Sequence, residues 1–165
     1  MDLYNIFSQI GVSPKVAQDV MLVLFVAFIS FVYGMLVGRY RLIPALINIF
    51  ASFAVLSVVP ANVLPDYNSK LILFFALWGG LTIFSRKFFD VPFYGSGTSF
   101  LWRVFSMSFL QGVLLLSIAF SIIPRKVALT YISPNALGYL TEGWAPLIWM
   151  TLPLVYLFFI YRRSR

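Results

Sequence analysis

Cysteine and histidine are both absent from the 165 residues. Without them the chain has no disulfide, no thiol nucleophile, no Cys/His zinc site, no Cys-ligated iron–sulfur cluster and no His-ligated haem. The usual general base near neutral pH is missing too. No cofactor, metal or catalytic residue is expected. Charge is scarce: 10% of residues carry it, against about 25% in a soluble domain. The acids are Asp2, Asp19, Asp66, Asp90 and Glu142, and none falls inside a long apolar run. Pumps, proton relays and voltage sensors place ionisable groups at membrane depth, so their signature is missing. No nucleophile has a base beside it, and an enzyme would need Asp19 and Glu142 to meet in one cleft. A cleavable leader is not expected either, because the first apolar run begins at Val20 without a basic n-region or a small-x-small cleavage site.

What remains is 61% hydrophobic, with a mean hydropathy of +0.94. Apolar runs cover about 20–38, 42–59, 69–85, 104–123 and 144–161. Most approach the roughly 20 residues that cross a hydrocarbon core. In lipid each backbone N–H and C=O must be bonded within its segment, so the runs should be helices. The expected fold is all-α: a single polytopic membrane domain of five transmembrane helices, the third short. Only Arg39, Tyr40 and Arg41 separate the first two runs, which predicts a tight helical hairpin with a cytoplasmic turn. Leu3, Ile6, Phe7 and Ile10 share one helical face, giving an interfacial helix over residues 1–12 or else a disordered tail. Ser13-Pro14 and Ser133-Pro134 read as helix starts. Residues 85–103 read as a loop on the membrane surface, since they mix basic and aromatic side chains as the headgroup region favours.

The net charge of +7 comes from basic residues at the ends of the runs. With the N-terminus outside, Arg39, Arg41, Arg86, Lys87, Arg103, Arg162, Arg163 and Arg165 lie inside, against Lys15, Lys70, Arg125 and Lys126 outside. This favours N-out, C-in, with the basic residues acting as topology signals and contacts for anionic lipid headgroups. Nucleic acid is not an expected partner; the bilayer is, together with other membrane proteins or a second copy of the chain.

Small residues recur at helical spacing: Ser30, Gly34 and Gly38 in the first run, Ala76 and Gly80 in the third, Ser108 and Gly112 in the fourth. Such stripes let helix backbones approach closely. The partner expected for the first stripe is the second run, with Ala51, Ala54 and Ser57; homodimerisation is the alternative. Asn48, Thr82, Gln111 and Thr151 are the polar side chains singled out inside the runs. They read as interhelical hydrogen-bonding groups, or alternatively as the lining of a path for a small neutral or lipid-like solute, with Pro153 as a hinge.

Trp102-Arg103-Val104, followed by Gln111-Gly112-Val113-Leu114-Leu115-Leu116, resembles the Arg-Val…Arg-Gly-Val-Leu region of the colicin V production protein family. Tyr33 to Leu46, with Gly38-Arg39 at the turn, is similar to that family's Arg-Gly turn between its first two spans. The resemblance covers roughly residues 20–140. Gln111 departs from it, standing where the pattern has arginine; the spacing from Arg103 to Gly112 is shorter, and the fifth span is atypical. Membership would imply a bacterial inner-membrane protein of export or envelope homeostasis, with no catalytic residues to carry over. The expected function is therefore a non-enzymatic accessory protein of the cytoplasmic membrane, with a channel or carrier subunit as the alternative.

Overall fold

The computed structural model describes residues 14–37, 41–60, 62–85 and 98–163. All regular structure among them is helical: α1 (Pro14–Val37), α2 (Leu42–Val58), α3 (Tyr67–Ser85), α4 (Thr98–Ile122), α5 (Arg125–Tyr131), α6 (Pro134–Thr141) and α7 (Ala145–Arg163). The interfacial helix expected over 1–12 lies outside the described residues, as do Gly38, Arg39, Arg86, Lys87, Arg165 and the side chain of Arg163.

Local chemistry accounts for most helix ends. Pro14 opens α1, where its missing N–H would have had no intrahelical partner. Ser133 caps α6, its Oγ accepting from the Ala136 N–H at 3.1 Å, with Pro134 at the first helical position. Past the end of α6, Gly143 takes a positive φ of 58°, a conformation that glycine adopts without strain. Two boundaries differ from expectation. Residues 98–103 belong to α4 instead of a surface loop, and the connection after it contains a further helix, α5. A basic or aromatic residue ends an apolar run, but it does not end a helix: Arg103 has good helix propensity and lies within α4.

Among the described residues two helices, Tyr67–Ser85 and the Leu101–Ile122 part of α4, are long and apolar enough to cross a membrane; a third crossing results if α6 and α7, bent by 59°, act as one span. The apolar segments Asp19–Met35 and Leu42–Val58 are shorter, at most 17 residues.

The centre of the bundle is α4. It packs against α1, α2, α3, α6 and α7, while α2 also pairs with α3 and α6 with α7. One core cluster joins Leu42, Leu46 and Ile49 of α2 to Phe74 of α3 and to Met107, Leu114 and Ile118 of α4. A second joins Val26 of α1 and Val113 of α4 to Ala128, Ile132, Leu137 and Leu140 on α5 and α6 and at their junction. The second cluster lies on a different face of α4 from the first, and Tyr33 of α1 packs against the first.

That placement corrects the expected partner of α1. Among the described residues α1 has no substantial contact with α2, and Ala54 and Ser57 of α2 are exposed. The partner is α4. A Cβ on Gly34 would lie 2.6 Å from Ser108 Oγ, and one on Gly112 would lie 2.7 Å from Ser30 Oγ. Ser30 faces Gly112 and Gly34 faces Ser108, so the helices run antiparallel. Four-residue spacing on one helix meets four-residue spacing on the other, and each glycine receives the opposing serine. The three-residue spacing of Ala51, Ala54 and Ser57 follows a different row of the helix surface and offers no such register.

A second correction concerns α3. Ala76 and Gly80 are exposed, and a Cβ on either Gly79 or Gly80 would meet nothing within 4 Å. Phe74 is the buried residue of this helix and provides its anchor. A large aromatic inserted between neighbouring helices places the small residues on the opposite side.

Candidate functional site

The side chains with chemistry to offer lie at the seams between helices. On the α2–α3 seam Asn48, an isolated amide in an apolar helix, is buried. Its Nδ2 donates to Ser85 Oγ at 3.0 Å and, more weakly, to Thr82 Oγ1 at 3.4 Å. Ser85 Oγ in turn donates to the Thr82 carbonyl at 3.1 Å, and Ser52 Oγ to the Asn48 carbonyl at 2.7 Å. The two Asn48 bonds tie the first half of α2 to the end of α3, at one end of their hairpin.

Gln111 is 0% exposed at the middle of α4, and its Nε2 donates to the Leu42 carbonyl of α2 at 2.6 Å. A backbone carbonyl has two lone pairs, so Leu42 can accept this bond beside its intrahelical one. An arginine at 111 would place a charge and five N–H donors where the bundle is closed, which demands counter-charges. A neutral amide needs far less. Gln111 Oε1 and, one turn earlier, Ser108 Oγ are buried without hydrogen-bond partners; Ser108 Oγ lies against Gly34 of α1.

On the far face of α4, Ser117 Oγ donates to the Leu140 carbonyl of α6 at 2.7 Å, and Trp149 Nε1 on α7 donates to the Tyr139 carbonyl at 2.7 Å. Sequence reasoning passed over Ser117 and Trp149. The available signal was that α4 carries small or polar residues around its whole circumference, as a helix surrounded by others must.

Of the four polar candidates the structure brings Asn48 and Thr82 together. Gln111 is held separately by Leu42. Thr151 is exposed on α7, its Oγ1 donating to Leu147 of its own helix at 2.8 Å. The four do not line one path.

The acids are also apart in role. Glu142 pairs with Arg125 at 2.8 Å. Asp19 lines an apolar groove between α1, α4, α6 and α7, and Glu142 is not part of that lining. Among the described residues no group of three His, Cys, Asp or Glu side chains could hold a metal ion. Of the basic residues assigned to topology, Arg41 and Arg103 are half-buried and Arg162 is exposed. Arg41 precedes α2, Arg103 lies in the second turn of α4, and Arg162 is near the end of α7. Among the described residues the seam hydrogen bonds join neighbouring helices.

Compared with known proteins, the chain matches no family model, no curated protein sequence and no solved structure.

Proposed function

We propose that the chain is a non-enzymatic, five-span protein of the bacterial cytoplasmic membrane, N-terminus outside and C-terminus inside, accessory to export or envelope homeostasis. The observation that carries the membrane reading is the inverted distribution of polarity. Ser30, Asn48, Ser52, Ser108, Gln111, Ser117 and Ser133 are buried, whereas Phe28, Ile72, Ile83, Phe84, Leu101 and Phe158 are each more than 60% exposed. In water so much contiguous apolar surface drives association. In lipid the arrangement is the expected one, since tails solvate Phe and Ile while polar and small side chains meet inside. The apolar faces of α1 and α2 join this surface through Phe25, Phe28, Ile47 and Val55, which supports counting both as spans beside α3, α4 and α7.

The accessory role rests on the resemblance to the colicin V production protein family through Trp102-Arg103-Val104 and Gln111-Gly112. It is also supported by the way the polar side chains bond to neighbouring helices instead of facing a common cavity. Its partners are then anionic lipid headgroups and other membrane proteins. The test is deletion of the chain's gene in its host, followed by assays of export of a secreted reporter and permeability of the envelope to detergent. Impaired export or raised permeability, restored by the wild-type chain, is expected. Normal values for both would overturn the role, and reporter fusions placing Asn62 in the cytoplasm would overturn the topology.

A further inference from the structure

The groove holding Asp19 is built from Val26 on α1, Val113 on α4, Tyr139 and Leu140 on α6 and Trp149 on α7, and measures about 240 Å³. Asp19 is the charged residue in its lining, and the Oδ1 atom is buried with no hydrogen-bond partner. A carboxylate oxygen against an apolar wall is costly unless a donor reaches it. Glu142 already has Arg125 at 2.8 Å. The Trp149 N–H is committed to the Tyr139 carbonyl, so the indole offers the groove its ring and not its donor.

The lining therefore calls for a ligand with a cationic N–H donor at one end and hydrocarbon at the other. We propose that the groove binds a phospholipid with a primary-ammonium headgroup, the ammonium on Asp19 and a chain segment along Val26, Val113 and Leu140; this rests on the membrane reading above. An anionic headgroup without an ammonium brings like charge to Asp19. A trimethylammonium headgroup has the charge but no N–H to donate. A divalent cation requires several oxygen ligands, and the rest of the lining is apolar.

The test uses the full chain in nanodiscs of phosphatidylethanolamine, phosphatidylcholine and phosphatidylglycerol with matched acyl chains, and reads the co-released lipid by native mass spectrometry. Retention of phosphatidylethanolamine about tenfold above phosphatidylcholine is expected, the scale of one charge-assisted hydrogen bond. The ratio should fall to about one in Asp19→Asn and persist in Asp66→Asn. Equal retention of the two lipids by the wild-type chain overturns the proposal without reference to any variant, as does an unchanged ratio in Asp19→Asn. A chain that does not enter nanodiscs overturns the membrane reading, whereas one that enters without the preference overturns this proposal alone.

Discussion

Helices α3 and α4 are both apolar enough to cross a bilayer, yet little of α3 is buried and far more of α4 is. α3 touches the bundle through Phe74 and the Asn48–Thr82–Ser85 bonds, and turns Ala76, Gly80 and Ile83 outward. α4 is gripped on several sides by Gly34, Leu42 and Leu140. Hydropathy thus selects which segments lipid accepts. The placement of small and polar residues around the circumference decides which segment becomes the hub. In lipid the contrast between apolar and polar surface does not drive helices together; close packing and hydrogen bonds do.

The largest effect that separates the two helices is expected from leucine at their glycines. Gly112→Leu or Gly34→Leu forces a branched side chain onto Ser30 or Ser108, already within 2.7 Å of a Cβ there. Overpacking should cost about 1–3 kcal/mol or more, seen as lost abundance and a lower unfolding midpoint in detergent. Gly80→Leu meets open space and should shift stability by less than about 0.5 kcal/mol. Equal losses from Gly112→Leu and Gly80→Leu would break the comparison.

A smaller separation is expected from the amides. Gln111→Ala removes the bond to Leu42 and leaves a cavity in the hub, an expected loss of about 1–2 kcal/mol. Thr151→Val, on the exposed side of α7, should be neutral within about 0.5 kcal/mol. Across the α2–α3 seam, a double-mutant cycle with Asn48→Ala and Ser85→Ala should give a coupling of about 0.6 kcal/mol, the scale of interhelical hydrogen bonds in lipid. Weakest of all is the Arg125–Glu142 pair, both partners more than half exposed. Arg125→Gln should change stability by less than about 1 kcal/mol, and added salt should erase the difference.

Much of the helical layout was legible because it is local. Continuous apolar runs, Pro14 at one helix start and Ser133-Pro134 at another mark elements within a few residues. Asn48 and Gln111 were also readable, since an amide in an apolar run needs a partner on another helix, and both have one. Which helix supplies the partner is not local. Ser30 and Gly34 pair with residues near 110 and not with the next run, because antiparallel register depends on matched spacing across the whole chain. The exposed side of α3 was misread for the same reason: Ala76 and Gly80 announce a close approach wherever they occur, but the insertion of Phe74 turned them away from the bundle. The role of Asp19 was hidden too, because its groove is assembled from four helices.

Because the chain contains no cysteine, a single introduced thiol reports its own surroundings. Labelling with a water-soluble maleimide in intact membranes, at Phe28→Cys, Ile83→Cys and Phe158→Cys, with Asn62→Cys in the loop before α3 for comparison, tests the inverted bundle most directly. The account predicts rapid modification at position 62 and protection at the other three until sodium dodecyl sulfate unfolds the chain. Rapid labelling at 28, 83 and 158 in intact membranes would place these apolar faces in water and contradict it.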